Sequence, residues 1–171
     1  YVNDAFSCSH RNHATVSKIT EFLPSFAGLQ MQSELSALKK ITSDIKRPIS
    51  CIIGGSKIST KIGLIKNLTL KLDNLIFVGG MANNILKYKG FEIGKSLKEE
   101  NCNGTINDIF NHANLNACKI YYPEDVSVGN EFNGFSKVKS LDELTDEDMI
   151  LDIGPKTIKS IKKIVEKSKT V

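Results

Sequence analysis

From residue 49 onward, short β-branched runs alternate with longer stretches in which apolar residues recur every three or four positions. Ile49-Ser50-Cys51-Ile52-Ile53 reads as a strand ending at Gly54-Gly55, and Ile58, Ile62, Ile65, Leu68 and Leu72 then mark one buried helix face. Asp73-Asn74 breaks that helix. Leu75-Ile76-Phe77-Val78 is the next strand, closed by Gly79-Gly80, and a helix from Met81 to Lys89 follows, with Gly90 suited to its C′ position. A third helix is expected over Thr105 to Leu115, with Ile106, Ile109, Phe110 and Ala113 facing inward. Lys119-Ile120-Tyr121-Tyr122 and Val126-Ser127-Val128 read as strand pieces split by Pro123. Residues 129–140, rich in Gly, Asn and Lys, predict a surface excursion, and 141–148 an acidic loop. Met149-Ile150-Leu151-Asp152-Ile153 is another buried strand, closed by Gly154-Pro155, and Ile158, Ile161, Ile164 and Val165 mark a final helix. Strands and helices alternating at this spacing imply βαβ units, a parallel sheet and right-handed crossovers.

Before residue 49 the texture differs. Tyr1 to Phe6 reads as one strand, followed by a polar loop holding Ser7 to Thr15. Ser33 to Ile45 predicts a helix with Ser33 as its N-cap and Leu35, Leu38 and Ile41 on one face, stopped by Pro48. Such a helix can link two domains, the first present only as a stub. The chain starts at Tyr1 in an apolar-flavoured segment and stops at Lys169-Thr170-Val171, where a new strand begins, so an internal piece of a longer chain is expected.

Composition narrows the class without choosing a function. A length of 171 residues, 40% hydrophobic and 25% charged, suits one soluble globular domain's worth of core. The longest apolar runs fall far short of the ~20 residues of a membrane helix, and no signal peptide is expected. Of the 23 basic residues only Arg11 and Arg47 are arginines, and the lysines lie scattered, which argues against nucleic-acid readout. Cys8, Cys51, Cys102 and Cys118 form no CxxC pair and have no His at ligand spacing, so neither zinc nor a disulfide framework is expected. Cys51 and Cys118 read as small buried hydrophobes, which fits a reducing cytosol.

Three strands ending in glycine turns place Gly54-Gly55, Gly79-Gly80 and Gly154-Pro155 at one carboxyl edge of a parallel sheet, where ligands bind. Glycine lets backbone N–H groups approach a phosphate, and a following helix N-terminus favours negative charge. The sharpest segment is Gly54-Gly55-Ser56-Lys57-Ile58-Ser59-Thr60-Lys61. Lys57 and Lys61, four apart at an expected helix start, would share a face pointing at that edge, an anion site suited to a polyphosphate. Two solvated lysines are the competing reading. GxxxxGK[ST] and GxGxxG are both missing, so neither a P-loop nor a dinucleotide fold is indicated. Arg11, within His10-Arg11-Asn12-His13, could clamp a carboxylate or phosphate, although an ordinary surface loop is the simpler reading on spacing alone. Asn3-Asp4 is expected to cap a turn, and Asp108 with His112 to be an exposed helical pair.

Taken together these motifs resemble the phosphoglycerate kinase family. Residues Tyr1 to His13 look like its VNDAFGTAHRAH signature, and Leu23-Pro24, Gly28 to Met31 and Glu34-Leu35 look like the run into its interdomain helix. Gly54 to Ile62 is similar to GGAKVSDKI, Gly79-Gly80-Met81-Ala82 to GGGMA, and Leu151 to Thr157 to LDIGPKT. The order holds across nearly the whole chain. The resemblance implies an α/β fold, a Rossmann-like three-layer parallel sheet that is part of a two-domain enzyme. On that fold 1–32 would be the tail of the acid-binding domain, 33–46 the interdomain helix and 47–171 a partial nucleotide-binding domain. It implies reversible phosphoryl transfer between ATP and 3-phosphoglycerate with Mg²⁺, in a monomeric, cytoplasmic enzyme with small-molecule partners and no nucleic acid or membrane.

By the same resemblance Arg11 would bind 3-phosphoglycerate and Lys57 would stabilise the transferred phosphoryl, making these two the catalytic candidates. Lys61 would hold the nucleotide phosphates, and Gly55, Gly79 and Gly80 would line the nucleotide pocket; no metal ligand is assigned. Thr60 stands where the family has Asp, Val78 replaces the first glycine of GGGMA, Ile150 replaces the glycine before LDIGP, and Ser7-Cys8-Ser9 replaces GTA. The family's DFN and HxxR segments are expected upstream and its WNGPMGVFE and GGGD segments downstream. A truncated remnant that folds and binds nucleotide weakly is the alternative to an enzyme piece active only with its flanks.

Overall fold

Paired strands and the helices between them organise the protein, whose computed structural model describes residues 1–43, 45–131 and 134–171. The chain divides into two compact units, Tyr1–Ile45 and Lys46–Val171. In the first, strand β1 (Val2–Asn3) lies parallel to β2 (Phe26–Ala27). Strand β1 is shorter than the residue 1–6 pattern predicts. Asn3 Oδ1 accepts the Ala5 N–H at 3.0 Å, the expected Asx-type turn, and diverts the chain into a 3₁₀ turn at Phe6–Cys8. Helix α1 (Leu29–Ser43) begins four residues ahead of Ser33. Its cap comes from far along the chain: Asp4 Oδ1 accepts the Met31 N–H at 2.9 Å. Leu35 and Leu38 remain largely exposed, whereas Met31 is buried. The Ile41 side chain and residue 44, both within the predicted helix, lie outside the described residues.

The second unit contains the expected parallel sheet. Strands β3 (Ser50–Ile53), β4 (Asn74–Phe77) and β5 (Lys119–Tyr121) pair in the order β3-β4-β5, with Ile53 opposite Phe77. Leu75, Ile76 and Phe77 of the central strand are fully buried, as a continuous apolar run in a parallel sheet should be. Helices α2 (Ile62–Thr69), α3 (Gly79–Tyr88) and α4 (Asn103–Leu115) connect them. Ile58, Ile65, Leu72, Ile106, Ile109 and Ala113 are all buried, as the three- and four-residue periodicity predicts, whereas Ile62 and Leu68 on the same expected face are half-buried. Phe110 is half-buried instead of inward, because it stacks on Tyr88 at 6.1 Å with Lys89 over its ring at 4.3 Å. Asp108 and His112 serve different neighbours: Asp108 pairs with Lys66 at 3.1 Å, and His112 Nδ1 meets the Thr69 hydroxyl at 2.8 Å.

The chain then leaves the parallel sheet. Strands β6 (Asp125–Gly129), β7 (Lys137–Ser140) and β8 (Met149–Ile153) form an antiparallel sheet in the order β7-β6-β8. This corrects the expectation that Met149–Ile153 continues the parallel set. Pro123, which cannot donate to a ladder, ends β5, and β6, which begins two residues after it, pairs antiparallel with β8. Part of the predicted surface excursion is also strand, since residues 137–140 pair with β6. The expected acidic loop at 141–148 buries Leu141 and Leu144 in a cluster with Leu86, Ile93, Val126 and Val128. Residues 132 and 133 of the excursion lie outside the described residues. Helix α5 (Pro155–Lys167) follows β8, and Thr170 then bridges in parallel to Ile49, its carbonyl accepting the Ser50 N–H at 2.9 Å.

Candidate functional site

Because β3 and β4 are parallel and in register, both end on the same edge, and the loops that follow are bonded to each other. The Val78 N–H donates to the Ile53 carbonyl at 2.9 Å, and the Met81 N–H to the Gly55 carbonyl at 2.7 Å. Gly55 and Gly79 adopt φ of +132° and +61°, conformations that a residue with a Cβ enters only under strain. Gly80 is favoured for a different reason. A Cβ there would meet the Gly55 carbonyl oxygen at 3.1 Å, Leu97 Cδ2 at 3.1 Å and Ser56 Cα at 3.2 Å. Helix α3 starts at Gly79, two residues earlier than the periodicity suggests, so the glycine pair forms its first turn, and no side chain caps it.

Lys57 and Lys61 reach this edge by a different local geometry from the one expected. The α-helix begins only at Ile62, and Ser59–Lys61 is a 3₁₀ turn, so Lys57 precedes that turn and Lys61 closes it in place of the two sharing a helical face. The reason is Glu99, from another segment, whose carboxylate accepts the Ser59 N–H at 3.1 Å and the Ser59 hydroxyl. Both lysines are exposed, and among the described residues neither forms an ion pair. The Ser59 hydroxyl, then the Ser59 N–H, and more weakly the Lys57 charge hold the Glu99 carboxyl below its ordinary range.

Beside Gly79 and Gly80 opens a pocket of about 130 Å³. Asn83, Leu97 and Pro123 wall it together with β8, from Met149 through Leu151 to Ile153. The lining is mainly apolar, with the edge glycines at one margin, so it suits a flat, largely apolar group carrying an anionic tail. Sequence reasoning missed Leu97, Pro123 and Leu151. The one available signal was Leu97 standing alone in the polar run Lys95-Ser96-Leu97-Lys98-Glu99-Glu100.

The third glycine turn is not available to an anion. Asp125, buried at the start of β6, accepts the Lys156 N–H at 2.9 Å and the Thr157 N–H and hydroxyl at 2.7 Å each. A Cβ at Gly154 would fall on this carboxylate. The first turn of α5 is thus occupied from within, which corrects the expectation that Gly154-Pro155 offers a phosphate site. Burial pushes the Asp125 carboxyl up, but the Thr157 hydroxyl and the Lys156 and Thr157 amides outweigh it and leave it below the usual range.

Arg11 belongs to the first unit, in an exposed loop whose backbone is fixed by the Arg11 N–H on the Cys8 carbonyl at 2.9 Å. His10, Asn12 and His13 are exposed beside it, and Asn12 Oδ1 accepts the Ser17 hydroxyl at 2.7 Å. Burial pushes the Cys118 thiol to about 11 and raises those of Cys51 and Cys102, so none is a poised thiolate. Cys118 is buried as expected, whereas Cys51 is half-buried. Among the described residues no group of three or more His, Cys, Asp or Glu converges as a metal cage.

The whole chain, residues 1–171, matches the family profile described as Phosphoglycerate kinase. A phosphoglycerate kinase of Wolbachia pipientis wMel is 47% identical over 172 residues, covering 100% of this chain and 43% of the relative. One of Zymomonas mobilis is 40% identical over 173 residues, covering 100% and 44%. The solved structure of phosphoglycerate kinase from Coxiella burnetii superposes with a TM-score of 0.88 at 34% identity, covering 98% of this chain and 44% of that one. That from Pyrococcus horikoshii, at 23% identity and a TM-score of 0.78, shares the fold. The chain therefore spans less than half the length of the curated relatives it matches.

Proposed function

The chain belongs to the phosphoglycerate kinase family, and from that premise we propose that it supplies the nucleotide-binding edge of an enzyme moving a phosphoryl group between ATP and 3-phosphoglycerate. The observation that carries this reading is the juxtaposition of an apolar pocket, two interlocked glycine loops and two lysines that form no ion pair among the described residues. The pocket wall of Leu97 and Leu151 takes the adenine base. Gly55, Gly79 and Gly80 let the phosphates run close to the backbone at the start of α3. Lys61 holds the nucleotide phosphates, and Lys57 places a fixed positive charge where the transferred group spreads its negative charge in the transition state. Such transfer is mostly positioning and charge stabilisation, which is why residues of this simple chemistry suffice.

Mg²⁺ enters as part of the nucleotide. A magnesium ion keeps much of its water and is bound through phosphates and one or two carboxylates. Arg11, with its planar fork, takes the carboxylate or phosphate of 3-phosphoglycerate. The division at Ile45 and Lys46 supports assigning residues 1–32 to the tail of the acid-binding domain, 33–46 to the interdomain helix and 47–171 to part of the nucleotide domain. The enzyme works as a cytoplasmic monomer on small molecules.

Calorimetric titration of ADP into this chain tests the nucleotide reading. The doubly substituted Lys57→Ala, Lys61→Ala chain should bind at least about tenfold more weakly, since each charged hydrogen bond contributes roughly 1.5–3 kcal/mol. Equal binding by the two chains would sink the assignment. The chain alone should show no turnover in a coupled assay, because it spans less than half the length of the curated relatives it matches.

A further inference from the structure

The segment from Lys95 to Cys102, between α3 and α4, has no regular structure, yet side chains fix it at both sides of the glycine edge. Two adjacent, buried asparagines on α3 hold it from one side: the Asn83 amide donates to the Leu97 carbonyl at 3.1 Å, and Asn84 Oδ1 accepts the Glu99 N–H at 2.7 Å. The other end of the Asn84 amide donates to the Gly80 carbonyl at 3.0 Å, within the first turn of α3. From this anchored backbone the Glu99 side chain reaches across 40 residues of sequence to take both donors of Ser59, midway between Lys57 and Lys61. One continuous set of bonds therefore runs from Gly80 through Asn84 and Glu99 to Ser59.

We propose that Glu99 is a positioning residue for the phosphoryl-transfer site: it fixes the Lys57–Lys61 loop against the glycine edge so that both ammonium groups address the nucleotide phosphates. The proposal rests on the nucleotide reading above. Its physical content is a sign. A carboxylate beside a polyphosphate site would, by charge alone, repel the ligand, so neutralising Glu99 should then tighten ADP binding. If Glu99 acts by holding the Ser59 turn, removing it lets both lysines drift, and binding weakens despite the loss of a negative charge.

The test uses this chain, its Glu99→Ala and Glu99→Gln variants, and two probes, ADP and adenosine. Glu99→Ala should weaken ADP binding about tenfold, the worth of lost charge-assisted bonds passed on to the lysine contacts. Adenosine, which lacks phosphates, should bind all three chains alike because the Leu97 pocket is untouched. Glu99→Gln keeps one acceptor oxygen and should fall between. Hydrogen exchange at the Ser59 amide, read without any ligand, should accelerate in Glu99→Ala. Unchanged or tighter ADP binding by Glu99→Ala overturns the proposal, as does an equal loss for adenosine, which would mark general loosening. Failure of the wild-type chain to bind ADP at all is a different result, and refutes the nucleotide reading itself.

Discussion

Replacing Asp125 by Ala removes the carboxylate that fills the first turn of α5, and the structure lets the cost be apportioned. Three donors converge on that carboxylate: the Lys156 N–H, the Thr157 N–H and the Thr157 hydroxyl. The hydroxyl keeps a partner in the variant, because its one proton can turn to the Asp125 main-chain carbonyl, 3.0 Å away. The Lys156 N–H loses its capping bond, and Thr157 is only 3% exposed, so its N–H is left orphaned. Loss of a helix N-cap costs about 1 kcal/mol, and one buried orphan donor a further 1–3, roughly. The expected destabilisation is therefore about 2–4 kcal/mol, a large share of the ~5–15 kcal/mol that a domain of this kind has. Urea unfolding followed by circular dichroism measures it, with amide exchange at Thr157 as the local readout. Asp125→Asn, which retains one carbonyl oxygen for Thr157, should lose about half as much. A shift below about 0.5 kcal/mol for Asp125→Ala, the range of neutral surface changes, with Thr157 still protected, would refute this account.

Gly80→Ala should lower ADP affinity at least about fivefold, given that its methyl group meets the Gly55 carbonyl, Ser56 and Leu97 at 3.1–3.2 Å and must push apart the two loops that frame the pocket; wild-type calorimetric affinity in this variant would contradict that packing. Acid should destabilise the second unit. Asp148 is raised by burial but lowered more by Lys139 at 2.6 Å and by Thr145, and Glu124 by Ser160 and Lys156, so with Asp125 these carboxyls sit below their ordinary range. A group with a depressed folded pKa binds more protons when unfolded, so its contribution is complete above the ordinary carboxylate range of about 4 and fades as pH falls below it. The urea midpoint should hold from pH 7 to about 5 and drop below about 4, less steeply in Asp148→Asn; a midpoint that rises with acid would reverse the sign.

What could be read from the sequence was what is encoded within one turn or one strand. The faces of α2 and α4, the run Leu75-Ile76-Phe77 and the glycine ends of β3 and β4 follow from periodicities of two and 3.6 and from glycine's freedom of φ. Three of the features that escaped depend on a partner far along the chain. The start of α1 is set by Asp4, 27 residues before Met31; the first turn of α5 by Asp125, 32 before Thr157; and the Ser59 turn by Glu99, 40 beyond it. Strand β8 was correctly seen as a strand, but its antiparallel partner β6 could not be inferred, because an apolar run does not encode the direction of its neighbour. The pocket wall of Leu97, Pro123 and Leu151 combines three segments with no shared period. The proposed site residues Lys57, Lys61, Gly55, Gly79 and Gly80 could be singled out in the sequence because they cluster in two short motifs.

The two bonds that join the glycine loops have a thermodynamic consequence. Glycine has more backbone freedom to lose than any other residue, and a loop of free glycines would have to be immobilised each time a ligand arrived. Here the Gly55 carbonyl already holds the Met81 amide, and the Ile53 carbonyl holds that of Val78. The conformational entropy of ordering the Gly54-Gly55 and Gly79-Gly80 turns is consequently charged to folding, once, and not to each encounter. Association at this edge should then show the entropy of a rigid surface shedding water, without the large unfavourable ordering contribution that a glycine-rich sequence would suggest.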